Sequence, residues 1–313
     1  MSAEKIDGTK IAAAIRAELK EEVDKMSETN GITPGLAVVL VGNRTDSATY
    51  VRMKKKACAE IGIRSVGIDL PAEVTQEELV AKVNELNADS GINGILVQLP
   101  LPPHIDEQTV LDEISQEKDV DGLHPLNVAQ LANTKTHAPG KSSWSFDAID
   151  FHVSCTPQGC IELLDRSGVT IEGKDAVVLG RSNIVGIPVA MLLMQRNATV
   201  TIAHSRTKDL QATIGRADIV VAAVGRTEMV KGEWLKPGCV VIDVGINSKD
   251  DATKKAGYRL VGDCDYDSCA AVASKITPVP GGVGPMTIAC LMRNTVNGTK
   301  RMLAKSMPKA PPS

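Results

Sequence analysis

The sequence contains few aromatic residues, which make up 2% of its 313 residues. Proteins that bind single-stranded nucleic acid stack bases on such side chains, so this composition argues against that class. An excess of one charge is also missing, because 35 Lys and Arg accompany 38 Asp and Glu, a net charge of −3. No broad basic surface for nucleic acid or an anionic membrane is therefore expected, and an anionic ligand must be bound by local groups.

Cysteine pairs and long apolar runs are missing as well. The seven cysteines include no C-x-x-C motif, which favours a reducing compartment and predicts no zinc site. No apolar run has the length of a membrane span, and the N-terminus reaches Glu4 and Asp7 without the apolar or arginine-rich features of a targeting segment. We expect a cytoplasmic protein with no membrane partner and with a disordered tail at 307–313.

What the sequence does contain is an alternation of strand-like and helix-like segments, in a length that fits two domains. Apolar strands are predicted at 36–41, 66–70, 94–98, 176–179, 198–203, 218–224 and 239–244. Helices are predicted at 47–61, 76–86, 186–196 and 285–303, the last folding back on the first domain. This order predicts two open, mostly parallel α/β sheets. The Ser-, Lys-, Thr-, Gly- and Pro-rich segment 133–153 is expected to be a long loop near the domain boundary.

A glycine-containing turn follows the strand predicted at 176–179. It reads G-x-S-x-x-x-G from Gly180 through Ser182 to Gly186, and a helix is expected to follow, with Pro188 in its first turn. A helix N-terminus at this position can bind phosphate. Because the spacing departs from the dinucleotide fingerprint G-x-G-x-x-G, this loop alone is a weak signal.

The end of the next strand indicates which nucleotide to expect. Dinucleotide folds that prefer NAD place Asp or Glu there to bind the ribose 2′-hydroxyl. This chain has His204, Ser205 and Arg206 instead, with Arg181 in the glycine loop. A hydroxyl and guanidinium groups suit a 2′-phosphate, so NADP is predicted rather than NAD. The alternative is that Ser205 and Arg206 cap a helix beginning near Thr207.

Lys54 lies at the centre of a mostly apolar helix face. At about 100° per residue the helix predicted at 47–61 surrounds it with Ser47, Tyr50, Val51, Ala57, Cys58 and Ile61. Loss of hydration would lower the lysine pKa toward the range useful for proton transfer, which makes Lys54 the leading catalytic candidate. The alternative is a lysine whose amine reaches solvent past a patch of small residues.

Two further polar residues follow predicted strands. Gln98 ends the strand predicted at 94–98, where open parallel sheets bind ligands. Its amide can bind a lysine amine or a substrate amide, or it can satisfy only the loop backbone. Asp121, in the run KDVDG at 118–122, can accept hydrogen bonds from two N–H groups of a heterocycle, although Asp-Gly is also a common turn. With no further ligand at usable spacing, no metal site is predicted.

The run TPVPGGVGPMT at 277–287 encloses three glycines between prolines. Such a segment is stiff at both ends and can approach a ligand closely in the middle. Pro285 then opens a helix whose first N–H groups are free.

Several motifs together resemble one enzyme family, the bifunctional methylenetetrahydrofolate dehydrogenase/cyclohydrolases. They are YVRMKKKAC at 50–58, VQLPLP at 97–102, KDVDG at 118–122, CTPQG at 155–159, GRS at 180–182, VIDVGIN at 241–247 and PVPGGVGPM at 278–286. The resemblance covers most of the chain in order and spacing, which makes it far more specific than any single motif.

The resemblance implies two reactions of folate one-carbon metabolism, which also serves purine biosynthesis. NADP oxidises methylenetetrahydrofolate to the methenyl form, which is then hydrolysed to 10-formyltetrahydrofolate. Lys54 would transfer protons, Gln98 would orient Lys54, Tyr50 would stack on or position the folate, and Asp121 would bind the pterin. Gly180, Arg181, Ser182, Ser205, Arg206 and Ile246 would bind the cofactor. Val97, Leu99, Pro280, Gly281, Gly282, Val283 and Gly284 would complete the folate site.

The resemblance also implies a domain organisation. A folate-binding catalytic domain at 1–154, completed by a helix at 285–313, would accompany a Rossmann-type NADP-binding domain at 155–284, with the active-site cleft between them. Family members are generally homodimers, so a homodimer is expected. The segment 133–153 is longer than expected for bacterial members, and a surface loop, a dimer contact and a change in substrate access remain alternatives for it.

Three other functions compete with this one on the sequence. A different NADP reductase, such as a shikimate dehydrogenase-like enzyme, would not explain Lys54 and Gln98 in these contexts. A silent NADP-binding protein would have no need of Tyr50, Lys54, Gln98 and Asp121 together. A dehydrogenase without appreciable cyclohydrolase activity would retain every motif and is distinguished only by assay.

Overall fold

The computed structural model of the protein describes residues 2–134, 145–254 and 257–306. Its strands are β1 (Glu4–Lys5), β2 (Gly35–Val41), β3 (Arg64–Leu70), β4 (Gly94–Val97), β5 (Asp175–Leu179), β6 (Thr199–Ala203), β7 (Ile219–Ala222), β8 (Val240–Asp243), β9 (Asn247–Asp250), β10 (Tyr258–Val261) and β11 (Lys275–Ile276). Its helices are α1 (Gly8–Asn30), α2 (Thr45–Ile61), α3 (Gln76–Ala88), α4 (Glu107–Asp112), α5 (Pro125–Asn133), α6 (Cys155–Arg166), α7 (Gly186–Gln195), α8 (Leu210–Ile214), α9 (Tyr266–Ala270) and α10 (Val283–Ser306).

The chain divides into two compact units. Unit 1 takes in the described residues of 1–13, 131–144 and 156–287. It contains a parallel sheet in the order β1-β11-β8-β7-β5-β6. β5, β7 and β8 are apolar runs whose residues are buried except Asp175, as expected for strands covered on both faces. The order reverses direction at β5, which places the loops after β5 and β7 at a topological switch point where such sheets bind ligands.

Unit 2 takes in the described residues of 14–130, 145–155 and 288–313. Its parallel sheet has the order β3-β2-β4, with Leu36 opposite Gly94 and Val39 opposite Val97. Every residue of β2 and β4 is buried. α3 begins with a capping box, in which Thr75 and Glu78 bind each other's backbone N–H groups. Because β4 ends at Val97, the next residue, Gln98, lies at the carboxyl ends of the parallel strands.

The prediction of two mostly parallel α/β sheets is confirmed. The observed strands begin or end within two residues of the predicted ones, and α10 runs from Val283 to Ser306. Asn294 of α10 binds the backbone of Val120 and Val153, so the last helix packs on unit 2 as expected. β9 and β10 form an antiparallel pair that the sequence pattern did not predict. Asn247–Asp250 contains no apolar residue, so β9 lacks the apolar pattern of a buried strand.

The segment predicted as a long loop at 133–153 is described only in part. Residues 135–144 lie outside the described residues, as does the tail at 307–313. Residues 145–153 form neither helix nor strand, and they run along α10. Asn297 donates to Asp147 Oδ1 (2.9 Å), and Arg301 Nη2 lies 2.9 Å from His152 Nδ1 and 2.8 Å from His152 Nε2. The second half of the segment is thus bound to the last helix.

Within the described residues, no helix combines the length and apolar character of a membrane span.

Candidate functional site

Lys54 and Gln98 form a direct contact in unit 2. Lys54 is 8% exposed, and its Nζ donates a 3.0 Å hydrogen bond to Gln98 Oε1. The other end of the Gln98 amide donates to Leu99 O (2.8 Å), which fixes the orientation of the side chain. The alternative in which the Lys54 amine reaches solvent is therefore wrong. Gln98 meets both expectations for it, since it binds the amine and satisfies the loop backbone.

The face of α2 around Lys54 is buried as expected. Val51, Ala57, Cys58 and Ile61 lie in the core, and Ser47 is buried with them. Tyr50 differs, because it lies at the border of this face and its side chain is 38% exposed. A ring at that position is one turn from Lys54 and accessible to a ligand.

Burial controls the charge of Lys54. Desolvation lowers the pKa of the Lys54 amine below its usual value, while the negative charges of Asp121 and the Cys155 thiolate form act in the opposite direction and are smaller. A buried amine with a lowered pKa is more often neutral, and a neutral amine can take a proton. Lys54, Gln98 and Asp121 therefore form one electrostatic cluster in unit 2.

The run KDVDG at 118–122 positions Asp121 through its neighbours. Lys118 Nζ donates to Leu86 O (3.1 Å), Asn87 O (2.8 Å) and Asp89 O (2.7 Å), the free carbonyls at the end of α3. Asp119 Oδ2 accepts from His124 N and from Asn127 Nδ2, both at 2.8 Å, and burial raises the pKa of Asp119 to about 7. Lys118 and Asp119 are therefore held by the fold itself, and Asp121, which is half-buried, lies beside Cys155.

Sequence reasoning missed two residues of this cluster. Cys155 is buried beside Asp121 and Lys54, and its Sγ donates to Val120 O (3.3 Å). Asn294 Nδ2 donates to Val120 O and Val153 O, each at 2.8 Å. Cys155 opens the family-like run CTPQG at 155–159, which was a signal for it. Asn294 carries no such signal, because its partners are more than a hundred residues away in the sequence.

The glycine loop of unit 1 makes a tight turn at Gly180. Gly180 has φ +108°, and a Cβ on it would lie 2.1 Å from Ala223 O, so only glycine fits. The loop leads into α7, and Ser182 Oγ accepts from Val185 N (3.2 Å) and Gly186 N (3.4 Å) at the start of that helix. Arg181 and Ser182 are exposed. The serine in G-x-S thus closes the helix N-terminus with its hydroxyl.

The residues after β6 remain open to solvent. Ser205 and Arg206 are exposed, and the next helix, α8, begins at Leu210 after an N-cap residue, Asp209. The alternative that Ser205 and Arg206 cap a helix from Thr207 is therefore wrong. The turn is closed instead by Thr207 Oγ1, which accepts from His204 N (2.8 Å), and that closure leaves the Ser205 and Arg206 side chains outside the cap.

The remaining candidates lie at the end of β4, after β8 and at the start of α10. Val97 is buried and Leu99 half-buried in unit 2. In unit 1, Ile246 is 46% exposed, and a Cβ on Gly284 would lie 3.7 Å from Ile246 Cδ1, which brings the run at 280–284 beside Ile246. In that run Pro280 is exposed, Gly281 and Gly284 are half-buried, and Gly282 and Val283 are buried.

The chemistry of these groups fits a dinucleotide. The cradle at Gly180, the Ser182 hydroxyl and two exposed arginines suit phosphates, and exposed Ile246 suits a flat ring. Among residues 2–134, 145–254 and 257–306, no three His, Cys, Asp or Glu side chains are grouped in a way that could hold a metal ion.

Two family models match the chain. The model of the tetrahydrofolate dehydrogenase/cyclohydrolase catalytic domain matches residues 6–121. The model of the NAD(P)-binding domain of the same family matches residues 154–303. The two models together match well over half of the chain.

Full-length relatives agree. Bifunctional protein FolD 2 of Arabidopsis thaliana is 56% identical over 300 residues, covering 96% of each chain. Bifunctional protein FolD 1 of Roseobacter denitrificans is 55% identical over 302 residues, with the same coverage of both chains, 96%.

Solved structures agree too. The Trypanosoma brucei methylenetetrahydrofolate dehydrogenase-cyclohydrolase, complexed with NADP cofactor and inhibitor, is 46% identical with a TM-score of 0.88, covering 97% of this chain and 99% of that one. The Campylobacter jejuni enzyme is 42% identical with a TM-score of 0.86, covering 96% and 100%. The chain therefore belongs to the tetrahydrofolate dehydrogenase/cyclohydrolase family and is a bifunctional enzyme that oxidises methylenetetrahydrofolate with NADP and hydrolyses the methenyl product to 10-formyltetrahydrofolate.

Proposed function

We propose that Lys54 is the acid/base group of the cyclohydrolase reaction. The observation that carries this assignment is the buried amine held by Gln98 at 3.0 Å. As water bonds to the methenyl carbon, the neutral amine takes one of its protons. The ammonium then returns a proton to the ring nitrogen as the carbon–nitrogen bond breaks, and the second water proton leaves to solvent as the formyl C=O forms.

Gln98 orients Lys54 in this proposal. Its Oε1 accepts from the amine while its Nε2 is held by Leu99 O, so the Lys54 nitrogen has a fixed position without a neighbouring formal charge on Gln98. A carboxylate in place of the amide would hold the amine in its charged form. The neutral amide therefore supports proton uptake.

Asp121 and Tyr50 are proposed to bind the folate. The Asp121 carboxylate offers two acceptor oxygens to the amino and N–H edge of a pterin, and its negative charge acts on Lys54. The exposed Tyr50 ring lies one turn before Lys54 on α2 and suits stacking on a flat substrate. Val97 and Leu99, next to Gln98, and Pro280, Gly281, Gly282, Val283 and Gly284 are proposed to complete the folate site.

The NADP site is proposed at the carboxyl edge of the unit 1 sheet. Bound there, the cofactor supplies hydride acceptance, and the protein supplies alignment. Gly180 and Ser182 would bind the pyrophosphate, Arg181, Ser205 and Arg206 the 2′-phosphate, and Ile246 the nicotinamide side. The exposed hydroxyl and guanidinium groups after β6, where an acidic residue would favour NAD, support this assignment.

One assay tests both activities and the Lys54 role. Methylenetetrahydrofolate and NADP are supplied, and NADPH and the methenyl chromophore are followed separately, with added methenyl compound as a parallel substrate. The proposal expects NADPH formation and enzyme-dependent methenyl decay. Decay at the spontaneous rate would leave a dehydrogenase alone and remove the acid/base role of Lys54.

We also propose the functional division, the assembly and the compartment. Residues 1–154 with 285–313 would form the folate-binding domain and 155–284 the NADP-binding domain. The family models at 6–121 and 154–303 support a boundary near 154, and the grouping of 288–313 with 14–130 in unit 2 supports the assignment of the last helix. A homodimer is supported by β6, which pairs only with β5 among the described residues and whose Ile202 is exposed; light scattering tests it. Seven buried cysteine thiols support a reducing compartment, and a cytoplasmic location is tested by fractionation.

A further inference from the structure

Asp263, which follows β10, is a carboxylate that the reaction does not use. Its side chain is fully buried, at 0% exposure. Oδ2 accepts from Val224 N (2.6 Å) and Gly225 N (3.0 Å), while Oδ1 accepts from Arg226 N (2.9 Å) and Asn247 Nδ2 (2.9 Å). All four donors are neutral amide groups, and they belong to the segments that follow β7 and β8.

A second buried carboxylate holds Asp263 itself. Asp243 Oδ1 accepts from Asp263 N (2.9 Å) and Gly245 N (3.0 Å), and Oδ2 accepts from Cys264 N (2.9 Å). The acids approach the backbone this closely because two residues lack side chains. A Cβ on Gly245 would lie 2.3 Å from Asp263 Oδ1, and a Cβ on Gly262 would lie 1.8 Å from Asp243 Oδ2.

These segments lie at the carboxyl edge of the parallel sheet. The loop after β7 begins at Ala223, whose carbonyl oxygen packs against Gly180 of the loop after β5. Asn247 directly follows Ile246, which is exposed. The three consecutive N–H groups of 224–226 form a concave amide arrangement of the kind that binds anions, and the anion they bind is the Asp263 carboxylate. The same carboxylate binds Asn247, so it connects this loop to the segment that carries Ile246.

Burial of a carboxylate is costly, and four hydrogen bonds offset that cost at Asp263. All four of the donors to Asp263 come from the two loops at the ligand-binding edge. We propose that Asp263 is a positioning residue for the cofactor, which fixes loop 223–226 and Asn247 so that the nicotinamide half of the dinucleotide is bound in a productive position. This inference rests on the proposed placement of NADP at this edge.

The two activities provide the test, because cyclohydrolase can be assayed with added methenyl compound and its proposed residues lie in unit 2. Asp263→Asn keeps the shape but turns one acceptor into a donor facing the loop N–H groups. We expect the Kd for NADP to rise by about tenfold or more, as for the loss of charge-assisted hydrogen bonds. The dehydrogenase KM for NADP should rise more than kcat falls, with cyclohydrolase activity and the circular dichroism spectrum retained.

Asp218→Asn is the matched control. Asp218 also accepts from a backbone N–H, that of Asp175 (3.1 Å), and binds Lys236 (2.6 Å). It directly precedes β7, so it lies at the amino ends of the strands, away from the proposed cofactor site at their carboxyl ends. Its variant should bind NADP with unchanged Kd. An unchanged Kd in folded Asp263→Asn would overturn the proposal, and so would an equal loss in both variants, which would show general destabilisation.

Asn247→Ala decides the matter if Asp263→Asn does not fold. It removes one donor and keeps the carboxylate with its three backbone partners, so we expect a several-fold rise in the KM for NADP at normal cyclohydrolase rate. Normal dehydrogenase parameters would overturn the proposal. Arg206→Ala tests the cofactor placement separately. If Arg206→Ala narrows the NADP-over-NAD preference while the Asp263 and Asn247 variants bind NADP normally, the Asp263 role fails and the placement stands. If Arg206→Ala leaves that preference unchanged, the placement itself fails.

Discussion

Gln98 Oε1 accepts a 3.0 Å hydrogen bond from Lys54 Nζ, while Gln98 Nε2 donates to the carbonyl oxygen of Leu99. The Leu99 carbonyl therefore fixes the Gln98 amide, and the Gln98 amide fixes the Lys54 amine. Burial lowers the pKa of this fixed amine, which favours its neutral form over that of an exposed lysine.

Replacing Lys54 should separate the two activities. Lys54→Ala removes the proposed acid/base, so hydrolysis of added methenyl compound should fall by about a hundredfold or more, the usual contribution of such a group. NADP binding should stay near normal. Lys56→Ala, an exposed lysine on the same helix, is the control and should keep both. Unchanged hydrolysis in Lys54→Ala would refute the acid/base role.

A negative charge at position 98 should change the pH dependence. Gln98→Glu places a carboxylate where the amide oxygen now accepts from Lys54, and an opposite charge raises the pKa of an amine. The limb of the cyclohydrolase pH–rate profile that reports loss of the Lys54 proton should move upward by about one unit or more. A profile that does not move would mean that Lys54 is not the titrating group.

Arg206 should contribute to cofactor choice. Arg206→Ala removes a guanidinium proposed to bind the 2′-phosphate, so the NADP-over-NAD preference should narrow by about ten- to a hundredfold, as for loss of a charged hydrogen bond of roughly 1.5–3 kcal/mol. The kcat/KM ratio for the two cofactors measures this. Lys208→Ala, an exposed cation two residues on, should leave the ratio unchanged.

His152 should make folding stability sensitive to acid. Burial, with the Arg301 charge second, lowers the pKa of His152 from 6.5 to about 3. Because the unfolded chain takes up this proton near pH 6.5 and the folded protein does not, the contribution is full above pH 6.5 and is lost as pH falls toward 3.

The size of this effect follows from the pKa difference. Between pH 6.5 and 5 the loss attributable to His152 is about 2 kcal/mol. Urea unfolding of wild type and His152→Gln at pH 7.5 and 5 measures it as the difference between the two pH dependences. Equal pH dependences in the two proteins would show that His152 is not neutral in the fold.

Patterns within single segments of the sequence predicted the buried strands and the burial of Lys54. The apolar runs of β2 and β5 predicted buried strands, and the face of α2 predicted the burial of Lys54. The pairing of β1 with β11 was not predictable, because a two-residue Glu-Lys strand has no apolar pattern. The anchoring of the loop before Asp121 by Asn294 was not predictable either, since a buried amide is recognised only through partners distant in sequence.

Asn294 also bears on the order in which parts of unit 2 can form during synthesis. The loop leading to Asp121 and the end of the 145–153 segment share the side-chain amide of Asn294. Until that residue leaves the ribosome, the carbonyls of Val120 and Val153 lack this donor, although β2, β3 and β4 are already complete. The growing chain therefore lacks these two contacts of the 118–122 run and the 145–153 segment until α10 has been synthesised.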